Sequence, residues 1–293
     1  MNAALIAAAI LLFVFQTLAM KLQRAEHLAQ KLLVNGLFSL AGALALGVGA
    51  LARPALFTVS APTFWYGLAF GALFALTILF YNLAISTGPL SYTTFYFSAS
   101  MLVPTLAGIL LFSEAFGPSL AVAVALFLAA FYLLNVGPGG QKKAQAGWPV
   151  FCALTFLCNG ASAVVQKAQQ AATGGAEAFG LMLVGFAWAA VFYGAGYLAA
   201  RRRLPHGAAV GLALARDNRA AILLLAAGSV GGNVLLTLLA GRVPASYLFP
   251  LVQGSIVVGV ALCSALLFKE KLPTRGKLGL ALGVCAIVAI NLS

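Results

Sequence analysis

The stretch that decides the fold is Tyr81–Asn135, which reads YNLAISTGPLSYTTFYFSASMLVPTLAGILLFSEAFGPSLAVAVALFLAAFYLLN. It starts at the end of one apolar run, turns at Thr-Gly-Pro 87–89, and continues as a second apolar run to Phe112. After Glu114 and a Gly-Pro break it enters a third apolar run. A helix that crosses a bilayer needs roughly 20 apolar residues, so the stretch predicts the end of one membrane helix followed by two complete ones.

The same pattern recurs near the other end of the chain. A Gly-Arg-Val-Pro turn at 241–244 precedes an apolar run, and the sequence LLFKE at 266–270 matches LLFSE at 110–114. A second match pairs MKLQRA at 20–25 with QKAQQA at 166–171. The two offsets differ by ten residues, which the long polar connector at 201–219 can hold because surface loops accept extra length at small cost. We therefore predict an internal duplication.

The composition indicates that lipid surrounds most of the chain. Hydrophobic residues make up 63% of the sequence and charged residues 8%, and the mean hydropathy is +1.04. Soluble domains are about 45–50% apolar and about 25% charged. We predict an all-α integral membrane protein of ten transmembrane helices in two inverted five-helix repeats, 1–136 and 148–293, joined by a Gly/Pro/Lys linker at 137–147. The predicted spans are 3–20, 32–52, 63–86, 90–112, 117–136, 148–166, 177–200, 220–240, 245–268 and 275–292.

The basic residues predict the orientation of these spans. An odd number of spans per copy makes the two copies cross the membrane in opposite directions, as in secondary transporters. The net charge is +12. The basic residues form short clusters between the apolar runs, which is typical of cytoplasmic loops rather than of a nucleic-acid-binding surface. All but three of the 17 basic residues fall in connectors on one side, the exceptions being Arg53, Lys167 and Arg242. That side is predicted to be cytoplasmic, which puts both termini outside.

Known catalytic and metal-binding patterns are missing from the sequence. It has no phosphate-binding GxxxxGK[ST] loop, and its two histidines, His27 and His206, stand alone in polar connectors. Its four cysteines lie in apolar runs without a CxxC pair, which favours packed thiols over a metal site or disulfides. We expect no cofactor, no metal and no enzymatic activity.

At the level of whole-chain organisation the sequence resembles the drug/metabolite transporter superfamily, specifically the EamA-like permeases. The resemblance rests on the segment 81–84 with the turn before span 4, on the matching span ends at 112–114 and 268–270, and on the linker at 137–147. It implies ten helices in two halves and a central cavity lined by spans 1, 4, 6 and 9. Many ten-helix relatives are thought to keep both termini in the cytoplasm, and the charge distribution of this chain argues the reverse.

The acidic residues narrow the class of substrate. Only five are present, and none lies in the middle of a span; Glu114 and Glu270 are expected at helix ends in water, with Lys269 and Lys271 as neighbours. An ionisable group in mid-membrane is costly and usually functional, so its absence is informative. The related small multidrug pumps use an embedded glutamate to exchange protons for cationic drugs, whereas span 1 here carries Gln16. A neutral, zwitterionic or anionic substrate therefore fits better.

Polar side chains inside the spans define the predicted binding site. Amide and hydroxyl groups in lipid need a partner on another helix or in a wet cavity, so each of these residues has a structural alternative as well. Two prolines inside spans, Pro104 and Pro250, are candidate gating hinges, with static kinks as the alternative. The predicted substrate-binding residues, placed near the membrane midplane, are Gln16, Tyr81, Asn82, Tyr96, Asn159, Ser162, Tyr247 and Gln253.

The sequence as a whole predicts a secondary transporter that moves small metabolites by alternating access. The resemblance suggests export of amino acids or similar zwitterionic or neutral solutes across the plasma membrane, the inner membrane of a bacterium. The expected partners are the solute and membrane lipids, but not nucleic acid, and the chain is expected to be a monomer or a homodimer. The alternatives are a lipophilic drug exporter, an integral-membrane enzyme and a lipid scramblase.

Overall fold

The structure is a computed structural model that describes residues 2–20, 22–135, 144–203, 211–267 and 273–292. Within these ranges the regular structure is helical throughout, with short 3₁₀ helices at Pro54–Leu56 and Arg201–Arg203. The α-helices in chain order are α1 Asn2–Met20, α2 Leu28–Ala52, α3 Ala61–Thr87, α4 Leu90–Ala99, α5 Leu102–Phe112, α6 Pro118–Asn135, α7 Trp148–Ala172, α8 Ala178–Ala200, α9 Gly211–Asp217, α10 Arg219–Ala240, α11 Ala245–Leu267 and α12 Thr274–Ile290.

Nine helical segments of the described residues are long and apolar enough to cross a membrane, counting α4 and α5 together as one. This agrees with the predicted all-α membrane protein. The tenth predicted span corresponds to α12, which has 17 residues. The helix that differs most from its predicted span is α7, which continues to Ala172 instead of ending at 166.

The chain forms two compact units, and unit 1 contains Met1–Ala75 and Val165–Arg242. In this unit α1 packs on α10, and α2 packs on α8. Its core contains stacked and edge-to-face aromatic rings, of which Phe70 and Phe186 are completely buried. Glycine permits a close approach of α3 and α8, because a Cβ added to Gly71 of α3 would lie 2.6 Å from the backbone oxygen of Gly185 in α8.

Unit 2 contains Leu76–Val164 and Val243–Ser293. Here α6 packs along α12, and α5 packs on α11. The buried ring of Phe127 in α6 occupies the space beside Gly254 of α11, where no larger residue fits. Small residues at helix contacts are the usual packing device in membranes, where lipid removes the hydrophobic drive between helices.

Each compact unit combines segments from both predicted halves, so the units do not coincide with 1–136 and 148–293. A repeat defined by sequence matches does not require each copy to be compact by itself, because helices of the two copies can interleave. The duplication and its inverted symmetry therefore stay predictions.

Candidate functional site

The fourth span is discontinuous in unit 2, and this break organises the polar residues around it. Helices α4 and α5 are separated by Ser100 and Met101. Pro104 has no N–H and cannot donate to the carbonyl of Ser100 four residues earlier, so the N–H of Val103 donates to it instead at 3.0 Å. The N–H of Ser100 reaches the carbonyl of Phe97 at 3.4 Å. At the proline, hydrogen bonds over three residues thus replace the regular α-helical bonds over four residues, which makes one turn tighter and its hydrogen bonding weaker.

Helix α7 packs directly into this break. The side-chain amide of Asn159 donates to the hydroxyl of Ser100 at 2.6 Å and to the carbonyl of Phe97 at 3.5 Å. The next residue is Gly160, where an added Cβ would lie 2.8 Å from the backbone oxygen of Ser100. Non-helical backbone at membrane depth needs such partners, because lipid supplies none. Asn159 therefore stabilises the break and fixes its geometry.

Three further predicted site residues lie near Asn159 or the break. The ring of Tyr81 lies against that of Phe97, with centroids 5.3 Å apart. Ser162 donates its hydroxyl to the carbonyl of Asn159, and Asn82 donates its amide to the carbonyl of Ile78 in its own helix. We call Tyr81, Phe97, Ser100 and Asn159 the broken-helix region.

The structure places the remaining unit 2 predictions outside the broken-helix region. Tyr96 is 39% exposed, and its ring meets the edge of Trp148. Tyr247 donates its hydroxyl to Asn291 at 2.9 Å, just beyond the end of α12. Gln253 is half-buried in α11. Contact between these three side chains and a solute stays a prediction.

The two predicted hinge prolines have different surroundings. Pro104 lies in the first turn of α5, immediately after the break, while Pro250 lies inside α11, which continues without interruption. Pro104 lacks the N–H that would bond to the carbonyl of Ser100 in an unbroken span, whereas α11 accommodates Pro250 without a break. The hinge role of either residue stays a prediction.

In unit 1 a polar stripe runs along α10. Ser229, Asn233 and Thr237 recur every four residues and are buried. Asn233 and Thr237 each donate to the carbonyl four residues earlier, at 2.8 Å. The side-chain oxygen of Asn233 accepts a 3.0 Å hydrogen bond from the amide of Gln166 in α7, a residue that is only 1% exposed.

The predicted site residue Gln16 joins this stripe from α1. Its Cβ would lie 2.9 Å from a Cβ added to Gly228, the residue before Ser229. We call Gln16, Gln166, Ser229 and Asn233 the amide cluster. The side-chain oxygens of Gln16, Gln166 and Ser229 are buried and have no hydrogen-bond partner among the described residues. An unpaired buried polar group costs about 1–3 kcal/mol, so these oxygens are disposed to accept hydrogen bonds from water or a solute.

The end of α7 carries a second group of amides, most of whose hydrogen bonds are made within unit 1. Gln169 donates to the hydroxyl of Thr63 at 2.9 Å, and Gln170 donates to the side-chain oxygen of Gln169 at 2.6 Å. Gln170 also donates to the carbonyl of Ala176 at 2.9 Å and retains one unpaired oxygen. These contacts fix the start of α3 against the end of α7, which is a structural role.

Glu114 lies at a helix end, just after α5, as expected, but it is half-buried and bound to backbone N–H groups rather than only to water. In unit 2 its carboxylate accepts hydrogen bonds from the backbone N–H groups of Ala245 and Ser246, at 2.7 and 2.8 Å. These are the first residues of α11, whose N–H groups have no partner within the helix. Glu114 therefore caps α11 and connects it to the end of α5. Glu270, Lys269 and Lys271 lie outside the described residues.

Glu177 makes a similar contact in unit 1. Its carboxylate accepts from the backbone N–H and the hydroxyl of Ser60, at 3.1 and 2.7 Å, just before α3 begins. Burial favours the protonated acid, but hydrogen bonds from Thr63 and Ser60 outweigh it and hold the pKa of Glu177 below its ordinary value. The carboxylate is thus ionised at neutral pH and holds Ser60, whose hydroxyl accepts from the N–H of Thr63 in the first turn of α3.

Sequence reasoning did not include Gln166, Ser229 or Asn233 among the predicted substrate-binding residues. The four-residue spacing of Ser229, Asn233 and Thr237 was the available signal, since it puts three polar groups on one side of an apolar helix. Among the described residues no group of three His, Cys, Asp or Glu side chains could hold a metal ion.

Comparisons with known proteins give a similar fold but no function. The sequence matches no family model and no curated protein. A solved structure described only as a crystal structure of a protein is similar to the chain with a TM-score of 0.78 and 17% sequence identity. The match covers 99% of this chain and 96% of the other. At that identity the likeness concerns the fold alone.

Proposed function

We propose that this protein is a secondary transporter of the EamA-like type, which moves small neutral or zwitterionic solutes across the plasma membrane by alternating access. The observation that carries the proposal is the amide cluster. It buries uncharged hydrogen-bonding groups in helices of membrane-spanning length, and three of their oxygens have no partner within the described ranges of the chain. Polar groups inside a membrane are costly and mark solute or ion pathways.

The chemistry of the cluster favours a solute that donates hydrogen bonds. Its unpaired atoms are two amide oxygens and one hydroxyl oxygen, all of which can accept from an ammonium or hydroxyl group. None of the nine candidate spans contains Asp or Glu. An amino group held by neutral oxygens, rather than by a buried carboxylate, fits an amino acid or a similar zwitterion better than an organic cation.

Two features of the fold support alternating access by inverted repeats. Three of the five predicted counterpart pairs pack on each other within a unit, namely α2 on α8, α5 on α11 and α6 on α12, whereas α1 packs on α10. Contact between equivalent elements is what a two-fold axis between repeats produces. In addition, Glu114 joins the end of α5 to the start of α11, as expected for counterparts that run in opposite directions.

The broken fourth span supplies further support. Transporters commonly bind solutes where a membrane helix is interrupted, because the freed backbone groups can be used for recognition. The break here lies beside the predicted site residues Tyr81 and Asn159. We propose this broken-helix region as a separate candidate for solute contact within unit 2.

A Ser229→Ala variant tests the proposal, with Ser39→Ala as its matched control. Both hydroxyls are completely buried and unpaired, but Ser39 lies on α2, outside the amide cluster. A screen of amino acids and lipophilic cations by thermal shift identifies a stabilising solute, and flux into liposomes then measures its transport. Loss of one hydrogen bond between the protein and the solute should weaken the apparent affinity of the protein for the solute about three- to tenfold, which corresponds to roughly 1 kcal/mol.

The expected pattern is weaker solute affinity for Ser229→Ala, with an unfolding temperature equal to or above that of the unmodified protein. Removing an unpaired buried hydroxyl eliminates a desolvation cost, so stability should not fall. Ser39→Ala should transport normally. Stabilisation and flux of lipophilic cations alone would favour the drug-exporter alternative, and unchanged solute affinity in Ser229→Ala would remove the amide cluster from the pathway.

A further inference from the structure

A basic cleft of about 640 Å³ lies in unit 1, where the connector after α1 meets the corner between α9 and α10. It is separate from the amide cluster, which lies deeper along α10. The sequence places this corner on the predicted cytoplasmic side. The residues that line the cleft are Leu22, Gln23, Arg24, Arg216, Asp217, Arg219, Ala220 and Ala221.

The buried side chain of Asn218 fixes the shape of this cleft. Asn218 is 1% exposed, and its side-chain oxygen accepts from the backbone N–H of Arg24 at 2.7 Å. Its amide donates to the carbonyl of Arg24 at 3.3 Å and to that of Leu214 at 3.0 Å. One side chain thus holds the connector against the corner and keeps Arg24 beside Arg216 and Arg219.

The three arginines of the cleft outnumber the one acidic residue among its described lining residues. Among the described residues none of their guanidinium groups forms a hydrogen bond or ion pair. Asp217 supplies the single negative charge in the lining, so the excess is two positive charges. Like charges held together repel each other, and a bound anion would relieve that repulsion.

The start of α10 adds a second set of donors. Asn218 occupies the N-cap position but makes no capping hydrogen bond, because its side chain is used on the connector and on α9. The N–H groups of the first turn, including those of Ala220 and Ala221, therefore lack a side-chain cap. Helix N-termini carry a partial positive charge and bind phosphate well, particularly beside arginine.

We propose that this cleft binds a phosphate group, carried either by an anionic phospholipid or by soluble phosphate. Arginine is suited to phosphate because its planar fork can donate two parallel hydrogen bonds. The nearby apolar side chains favour the lipid source: Leu22 is 53% exposed, and Leu212 on the short helix α9 is 86% exposed. Basic residues next to exposed leucines are typical of a surface that lies at the membrane interface.

The test uses the full-length protein in detergent and two double variants that remove the same charge. Arg216→Gln with Arg219→Gln changes the cleft, while Arg201→Gln with Arg202→Gln changes the exposed 3₁₀ helix after α8. The unfolding temperature is measured against increasing phosphatidylglycerol, phosphatidylcholine or inorganic phosphate at constant ionic strength. Two lost charge-assisted hydrogen bonds should weaken the apparent affinity by tenfold or more in the cleft variant only.

The titrations with the three additives identify the source of the phosphate. Stabilisation by phosphatidylglycerol alone assigns the cleft to a lipid headgroup, and equal stabilisation by inorganic phosphate assigns it to a soluble anion. If the double cleft variant does not fold, Arg24→Gln removes one cleft charge from the connector and should show the same selective loss. Equal responses of the cleft variant and the 3₁₀ variant, or equal stabilisation by phosphatidylcholine, would overturn the proposal.

Discussion

Replacing Glu114 by Gln tests the contact that joins α5 to α11. The carboxylate accepts two short hydrogen bonds, from the N–H groups of Ala245 and Ser246. Glutamine keeps one oxygen acceptor but presents an NH₂ group to the other N–H, which is left unpaired. The loss of one charge-assisted bond is worth about 1.5–3 kcal/mol, and loss of the negative charge at a helix N-terminus adds about 0.3–1 kcal/mol. We expect a total of roughly 2–4 kcal/mol.

The assay is thermal unfolding of the purified protein in one detergent. A change of 1 kcal/mol moves the unfolding temperature of a chain of this size by roughly 2 °C, so Glu114→Gln should lower it by about 4–8 °C. Glu26→Gln is the matched control, because it removes the same charge from an exposed carboxylate that accepts no hydrogen bond among the described residues. Equal unfolding temperatures for the two variants would refute the capping role of Glu114.

Two further predictions concern unit 1. Gly71→Ala should destabilise the protein by about 1–3 kcal/mol, because the new Cβ would lie 2.6 Å from the oxygen of Gly185. Gly47→Ala, which meets nothing within 4 Å, should be neutral or slightly stabilising, and thermal unfolding of both variants checks the pair. Glu177 should make stability depend on acid: since its pKa is lowered on folding, its contribution is complete above about pH 4.5 and is lost as the pH falls through the folded pKa. The gap in unfolding temperature between Glu177→Gln and the unmodified protein should therefore be constant near neutral pH and narrow in acid; a gap that does not change anywhere between neutral pH and acid contradicts the ionised contact with Ser60.

The positions of most spans could be predicted from the sequence because lipid imposes one requirement, a run of apolar residues of fixed length. The prediction ended α7 too early because the segment from Gln166 to Gln170 is polar. In the structure Gln166 donates to Asn233, and Gln169 and Gln170 bond with each other and with Thr63, so the helix continues with its amides largely satisfied. Hydropathy along one segment does not contain that information.

The candidate site could be predicted only in part, for the same reason. Asn159 was predicted from its spacing, but its place in the break of span 4 depends on Ser100, which lies 59 residues away. The cap by Glu114 depends on a partner 131 residues away. Neither contact leaves a local pattern, because a hydrogen bond between distant segments constrains each residue only through the folded structure.

The pairing of Gln166 with Asn233 has a consequence for how the protein is made. The two residues are 67 positions apart, so α7 leaves the ribosome well before α10 can supply its partner. During that interval the amide of Gln166 faces either lipid or the translocation channel without its final hydrogen bond, whereas the partners of Gln169 and Gln170 lie at or before Ala176. Because isolated polar groups are unfavourable in hydrocarbon, this half of α7 should stay in the channel or at the water interface until α10 arrives. Stable membrane insertion of α7 would then be coupled to synthesis of α10, and a chain truncated before Asn233 should expose the end of α7 to water-soluble labelling reagents.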